Sequence, residues 1–121
     1  MEIACVDSTV LIEHYRAKDK TNTFLYRLIR THTVRIPSIV RYEVLRGDRS
    51  KDDFWLKYFA NKVVLPFDKD CAGEAAVIYA TLKATNQLIG AEDILIAATA
   101  LTYNLPLATI NTRHFSRVNN L

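Results

Sequence analysis

The chain has 121 residues, of which 50% are hydrophobic and 24% charged, a composition that is typical of a folded globular domain and excludes a disordered chain. Its formal net charge of +3 is compatible with a polyanionic partner without requiring one. No stretch reaches the roughly 20 apolar residues of a membrane span, and no basic segment precedes the short apolar run near the N-terminus. We therefore expect one domain over residues 1–121, in the cytoplasm and without a membrane partner.

Taken in chain order, short apolar runs that predict buried strands alternate with amphipathic segments that predict helices. The predicted elements are a strand over 3–6, helices over 10–16 and 24–31, a strand over 34–37, helices over 39–46 and 52–61, a strand over 63–66, helices ending at 86 and 103, a strand over 105–109, and a short helix over 111–115. This alternation is typical of α/β folds, and we predict a mainly parallel sheet with helices on both faces.

Polar residues at the predicted helix starts are candidate N-caps, because their side chains can accept hydrogen bonds from unpaired backbone N–H groups. We expect Ser8 or Thr9 to cap the first helix and Ser38 to cap the third. The long helix that ends at residue 86 is expected to be capped by Asp68 or Asp70.

Three acidic residues have apolar neighbours in the sequence. Asp7 ends the first strand, while Glu43 and Asp93 lie near the starts of predicted helices, Asp93 beside Glu92. A helix dipole favours acids at such starts, but a buried carboxylate is costly unless a cation or hydrogen bonds compensate. Sites in parallel α/β folds lie at the carboxyl ends of the strands. We therefore expect these acids to meet one another, and Asn111 after the last strand, at one edge of the sheet.

The chain lacks the sequence features of several other kinds of site. Its three glycines are far apart, so there is neither a Gly-rich phosphate loop nor a GxSxG motif. Its histidines and cysteines lack zinc-ligand spacing and a disulfide framework. Carboxylate oxygens without nitrogen or sulfur partners favour a hard cation, Mg²⁺ or Mn²⁺. Because such ions promote phosphodiester displacement, a metal-dependent nuclease is the leading hypothesis.

Four segments, in this order along the chain, resemble a known family. They are VDS at residues 6–8, YEVLRG at 42–47, IGAEDILIAA at 89–98 and LATINTRHFSRV at 107–118. On these segments the chain resembles PIN-domain proteins, and specifically the VapC-type toxins of bacterial toxin–antitoxin pairs. The resemblance implies a three-layer α/β/α sandwich with a mainly parallel central sheet. It also implies an endoribonuclease that uses Mg²⁺, or Mn²⁺ in its place, to hydrolyse RNA phosphodiester bonds with metal-activated water, usually as a homodimer inhibited by a cognate antitoxin protein.

Carried over by position, the resemblance assigns Asp7, Glu43 and Asp93 as catalytic residues and metal ligands. Asn111 falls where many members of the family have a fourth acid, and it is also assigned to the catalytic set. Asparagine carries no negative charge, so it would bind through its carbonyl oxygen or orient a water molecule. The number of metal ions, one or two, therefore stays open.

Three further polar residues flank the matched acids. Ser8 and Thr109 are expected to hydrogen-bond the carboxylates from outside the set of ligands. Glu92 is expected to be an accessory ligand or an exposed residue of the first helical turn.

Other interpretations of the same residues stay open. A phosphatase with an aspartyl nucleophile at Asp7 would usually have a second acid two positions later, where this chain has Thr9. A DNA nuclease is compatible with the acids, whereas a non-catalytic PIN-like protein-binding module has no physical need for three apolar-flanked acids. The aromatic residues over 54–59 are expected to form core or dimer contacts and not a base-stacking surface, and residues 24–29 are a second candidate dimer surface.

Overall fold

A computed structural model describes all residues of the chain, 1–121. Its centre is a sheet of four strands in the order β3-β2-β1-β4. The strands are β1 (Glu2–Val6), β2 (His32–Pro37), β3 (Val63–Leu65) and β4 (Leu107–Ala108). All three strand pairings are parallel, and helices flank the sheet, which confirms the predicted α/β fold class.

Seven helices and one 3₁₀ turn connect and cover the strands. The helices are α1 (Ser8–Arg16), α2 (Phe24–Leu28), α3 (Ser38–Arg46), α4 (Phe54–Phe59), α5 (Lys69–Ala84), α6 (Ala91–Thr102) and α7 (Thr112–Phe115), and the 3₁₀ turn covers Lys20–Asn22. None of these helices is both long enough and apolar enough to cross a membrane.

The register of the sheet sets the position of the candidate site. In the β1–β4 pairing, Val6 is opposite Ala108, so the residues that follow these two strands leave the sheet side by side. β1 is also paired with β2 on its other edge, which makes it a central strand. Asp7 therefore comes at the carboxyl end of a buried strand and next to the segment that follows β4.

Two of the predicted helix caps differ from the structure. Asp7 caps α1, because the chain leaves β1 with an extended backbone at that residue and the Asp7 carboxylate accepts the Val10 N–H at 3.4 Å. Ser38 is already helical, so Pro37 occupies the N-cap position of α3 without a side-chain hydrogen bond. The cap of α5 is confirmed, since Asp68 accepts the Cys71 N–H at 3.0 Å.

Several predicted elements are shorter in the structure: the helix predicted over 24–31 ends at Leu28, and both β4 and α4 begin later than predicted. β4 does not begin at residue 105, because the Leu105 N–H is used to close the end of α6 on the Ala100 carbonyl at 2.9 Å. α4 begins at Phe54 and not at 52, because Asp53 adopts a left-handed backbone with φ of 55° just before the helix. The starts of β4 and α4 are therefore set by the turns that precede them.

The core is built around α6, which the sequence predicts as an almost wholly apolar helix. Its residues Ile96, Ala97, Ala98 and Ala100 are fully buried. Thr99 is buried as well, and its hydroxyl donates to the Leu95 carbonyl at 2.8 Å, so its polar group is satisfied. Burial of this helix confirms the pattern and leaves the acids of its first turn next to the core.

The aromatic residues of α4 form core contacts, which is one of the two roles expected for them. Trp55 and Phe59 are buried and stack on one another with ring centroids 5.9 Å apart. Tyr58 packs edge-on against both rings. Most of this aromatic surface is therefore used within the chain.

Candidate active site

The predicted site residues lie around the carboxyl edge of the sheet. Asp7 follows β1 directly, and Asn111 occupies the N-cap position of α7, three residues after β4, without a side-chain capping hydrogen bond. Asp93 is the third residue of α6, as expected from its place near a helix start. Glu43 is the sixth residue of α3 and lies on its second turn, not near its start as expected.

Asp7 is the most deeply buried of the acids, with 2% of its surface exposed. Its Oδ1 accepts the Thr9 hydroxyl at 2.6 Å and its Oδ2 accepts the Thr109 hydroxyl at 2.6 Å. Burial raises the pKa of the Asp7 carboxyl, the hydrogen bonds from Thr109, Thr9 and Val10 act against that rise, and the charge of Asp93 adds to it. The hydrogen bonds thus hold the Asp7 carboxylate in one orientation. They do not fully offset the effect of burial, so the pKa of Asp7 stays above its usual value.

The two threonines also fix the segment after β4. The Asn111 N–H donates to the Thr109 hydroxyl at 2.9 Å, and the Ile110 N–H donates to the Thr9 hydroxyl at 3.3 Å. Each threonine then donates its own proton to Asp7, so two short hydrogen-bond chains tie this segment to the buried carboxylate. The hydrogen bond predicted for Thr109 is present, and Thr9 has the same role.

Asp93 is joined to Asn111 through a histidine. The His114 Nδ1 lies 3.2 Å from Asp93 Oδ2 and 3.0 Å from Asn111 Nδ2. An imidazole nitrogen either donates or accepts, so a protonated Nδ1 donates to Asp93 and a neutral, unprotonated Nδ1 accepts from the Asn111 amide. His114 therefore couples the charge of Asp93 to the orientation of Asn111.

Glu43 is the acid with the most perturbed environment. Its Oε1 is buried and has no hydrogen-bond partner. The pKa of Glu43 is raised to about 7, by burial first and then by the neighbouring carboxylates of Glu92 and Asp93, while Ser8 acts against the rise. Glu43 is thus poised to hold a proton near neutral pH.

Glu92 is turned toward a cation of the chain itself. The Arg46 Nη1 and Nη2 donate to its two carboxylate oxygens at 2.7 Å and 3.2 Å. Arg46 also lies over the Tyr42 ring, with 5.0 Å to the ring centroid. The pKa of Glu92 is lowered by Arg46 first and by Glu43 next, so Glu92 is the ionised member of the Glu43–Glu92 pair.

The residues present can be tested for their fit to a divalent cation. No group of three or more His, Cys, Asp or Glu side chains is arranged to enclose a metal ion. The chemistry of the donors does fit Mg²⁺ or Mn²⁺, because the carboxylates supply oxygen ligands and Glu43 Oε1 has no other partner. The charge of Asp93 raises the pKa of both Asp7 and Glu43, and a cation would relieve that repulsion. Binding would require these side chains to turn toward a common point.

Three residues of the site were missed or undervalued by sequence reasoning. From the sequence, His114 is expected to be a surface residue near Asn111, Thr9 is a candidate cap at the position where a phosphatase would have its second acid, and Arg46 is one of several positive charges in the first half of the chain. Spacing gives a weak signal for two of them, since His114 follows Asn111 by three residues and Arg46 follows Glu43 by three. Their partners Asp93 and Glu92 come from another helix, so the pairs themselves depend on the tertiary fold.

The chain is similar to proteins of one family over nearly its full length. The family model of the PIN domain matches residues 4–121. The protein named ribonuclease VapC from Rickettsia bellii is 34% identical, over 96% of this chain and 90% of its own length.

Solved structures have the same fold. The crystal structure of DNA-bound VapBC from Salmonella typhimurium matches with a TM-score of 0.83 at 24% identity, over 100% of this chain and 96% of the matched chain. A toxin–antitoxin complex from Klebsiella pneumoniae matches with a TM-score of 0.76 at 21% identity, over 93% of this chain and 90% of the other. At these identities the likeness concerns the fold alone.

The raised pKa of Glu43 makes the stability of the chain depend on pH. The folded state favours protonated Glu43, so its contribution is fully present below pH 4.5 and is lost as pH rises to about 7. Glu43→Gln removes this loss. We therefore expect Glu43→Gln to become more stable relative to wild type as the pH rises from 4.5 to 8. The difference in free energy of unfolding, variant minus wild type, should increase by about 1–2 kcal/mol over this range, a value reduced for the partial exposure of Glu43.

The measurement is urea unfolding in chelator at both pH values. Glu74→Gln on α5 is the matched control, because Glu74 makes no salt bridge. For Glu74→Gln, the difference from wild type in the free energy of unfolding should change little between the two pH values. A Glu43→Gln difference that stays flat across this range would contradict the assignment of the proton to Glu43.

Proposed function

Because the chain belongs to the PIN-domain family, we propose that it is a Mg²⁺-dependent endoribonuclease, with Mn²⁺ able to substitute, and that it is the toxin of a bacterial toxin–antitoxin pair acting in the cytoplasm. The observation that carries the proposal is that the charge of Asp93 acts on the carboxyl groups of both Asp7 and Glu43, at the carboxyl edge of a PIN fold. The substrate class is supported by the relative named ribonuclease VapC.

Asp7, Glu43 and Asp93 would hold the cation in this proposal, and Asn111 would add a neutral oxygen. When bound, Mg²⁺ supplies positive charge that activates water and stabilises developing charge on phosphoryl oxygens. The reaction is hydrolysis: a water oxygen bonds to phosphorus, the bond from phosphorus to one ribose oxygen breaks, and the leaving oxygen takes a proton. No covalent bond to the protein is needed.

The chain's own residues prepare this site in different ways. Thr9 and Thr109 fix the Asp7 carboxylate before any ligand arrives. Glu43 must give up the proton that it holds near neutral pH before both of its oxygens are free to bind a cation. His114 contacts Asp93 and orients its carboxylate. The orientation of Asp7 is therefore fixed in advance, whereas the protonation of Glu43 must change for a cation to bind.

The geometry of Asp7 disfavours the phosphatase alternative. Both Asp7 oxygens accept hydrogen bonds from threonines, which hold the carboxylate in place and supply no acid to protonate a leaving group. The residue two positions later, Thr9, is one of those donors and not an acid. Hydrolysis by water is the better fit to this arrangement.

We also propose that the chain forms a homodimer through α5 and α6. A groove of about 290 Å³ on these helices is lined by eight apolar residues, among them the half-exposed Tyr79 and Leu88. The surfaces expected at 24–29 and 54–59 expose less apolar area for such a contact, since Leu25, Trp55 and Phe59 are buried within the chain.

The second partner in the proposal is a cognate antitoxin protein, supported by the fold shared with the toxin–antitoxin complex from Klebsiella pneumoniae.

The nuclease proposal predicts metal-dependent RNA cleavage. Purified chain, free of any partner, should cut total bacterial RNA with Mg²⁺ or Mn²⁺ and should be inactive in chelator. Asp93→Asn should lower the rate by at least about a hundredfold, because it removes a central negative charge of the site while keeping its shape. Mapping the new RNA ends by sequencing measures both the activity and the cleavage sites.

Asp70→Asn is the matched control, since Asp70 lies in the first turn of α5, outside the site. It should cleave at the wild-type rate. Cleavage that persists in chelator or in Asp93→Asn would contradict the proposal. For the toxin role, expression of wild type should arrest bacterial growth, and expression of Asp93→Asn should not.

The dimer proposal predicts a solution mass of twice that of one chain by light scattering. Tyr79→Glu should give the mass of a single chain, because it places a charge in the apolar groove. Val77→Glu is the control, since Val77 is exposed on the same helix but outside that groove. A single-chain mass for wild type, or a dimer in Tyr79→Glu, would argue against this surface.

A further inference from the structure

A cleft of about 310 Å³ opens beside the acidic site and shares Glu43 with it. Its walls come from α1, the end of α3, the segment that follows α3, and the Trp55 ring of α4. This volume is that of a small ligand pocket. Because Glu43 belongs to both places, a nucleic acid strand with its scissile phosphate at the acids would extend a neighbouring nucleotide into the cleft.

Two arginines in the cleft form no salt bridge within the chain. Arg16 from α1 and Arg49 from the segment after α3 both line it, and both are exposed. Neither takes part in a salt bridge, whereas the nearby Arg46 is bound to Glu92 at 2.7 Å. The guanidinium groups of Arg16 and Arg49 are therefore free to bind phosphate oxygens with paired N–H donors.

Asp48, in the segment after α3, hydrogen-bonds the backbone and does not pair with either arginine. Asp48 Oδ1 accepts the Ser50 N–H at 2.8 Å, and hydrogen bonds from Ser50 lower the pKa of Asp48. This turn fixes the position of Arg49, which lies between the two residues. The other acid facing the cleft is Glu43, whose charge belongs to the proposed cation site.

An aromatic ring forms part of the same wall. Tyr15 is 40% exposed, and its ring packs against Trp55 and Phe54 with centroids 5.3 Å and 4.9 Å away. The two rings behind it hold Tyr15 in place, Lys20 Nζ lies 5.8 Å from its ring centroid, and Tyr15 contributes to the wall of the cleft. A fixed, half-exposed aromatic ring next to arginines is the combination that stacks a base of a single strand.

We propose that this cleft binds one nucleotide of single-stranded RNA next to the scissile phosphate, with Arg16 and Arg49 on phosphate oxygens and Tyr15 against the base. The inference rests on the proposed ribonuclease function and adds a substrate-binding subsite to it. Arg16, Arg49 and Tyr15 are binding residues in this account, so their loss raises KM and leaves kcat largely unchanged.

The direct test is binding measured without cleavage. The probe is a fluorescein-labelled pool of single-stranded twelve-nucleotide RNAs of random sequence, and fluorescence anisotropy is followed in chelator at several salt concentrations. The double variant Arg16→Gln/Arg49→Gln should bind about tenfold more weakly than wild type at low salt. Loss of two phosphate contacts should also reduce the slope of log affinity against log salt by about 1.4.

Matched variants separate the subsite from general charge and from misfolding. Arg30→Gln removes one positive charge just before β2, at the opposite edge of the sheet, and should bind within about twofold of wild type. Arg16→Lys/Arg49→Lys should restore most of the salt slope, because lysine also contacts phosphate. Tyr15→Leu should weaken binding by about fivefold or more with little change in salt slope.

The cleavage assay with Mg²⁺ distinguishes the two levels of the proposal. Wild-type cleavage together with a raised KM and retained kcat in the double variant supports both. Wild-type cleavage with binding and KM unchanged in the double variant overturns the subsite and leaves the nuclease intact. No cleavage by wild type overturns the nuclease, and the RNA subsite with it.

Discussion

The site depends on the buried carboxylate of Asp7. This residue ends the central strand β1, caps α1, and accepts the hydroxyls of Thr9 and Thr109. A buried, unsatisfied carboxylate would be strongly destabilising, and here three donors satisfy it without removing its charge. Asp7 therefore joins two strands and a helix at the edge where the other acids lie.

Charge balance in the rest of the site follows from the same crowding. Burial and the neighbouring acids leave Glu43 with a pKa of about 7, while Glu92 is kept ionised by the paired donors of Arg46. Glu43 is thus protonated near neutral pH, whereas Glu92 is paired with the guanidinium group of Arg46. Both arrangements reduce repulsion around Asp93 in the absence of metal, and both can be reversed when a stronger cation arrives.

Much of the fold and the principal acids could be predicted from the sequence, because they depend on local patterns. The apolar run before Asp7, the apolar length of α6 and the alternation of strands and helices are each legible within a few residues. The contact of His114 with Asp93 and of Arg46 with Glu92 could not, since these partners are 21 and 46 residues apart. The nucleotide-sized cleft is likewise formed by α1, α3 and α4 together.

The central claim is that Asp7, Glu43 and Asp93 act together as one divalent-cation site. The most direct measurement is a Mn²⁺ titration in which electron paramagnetic resonance counts free Mn²⁺, carried out at several pH values around 7. We expect saturable binding that tightens as pH rises through about 7, where Glu43 loses its proton, and that is lost in Asp7→Asn and in Asp93→Asn. Absence of saturable binding, or equal binding by wild type and both variants, would contradict the account.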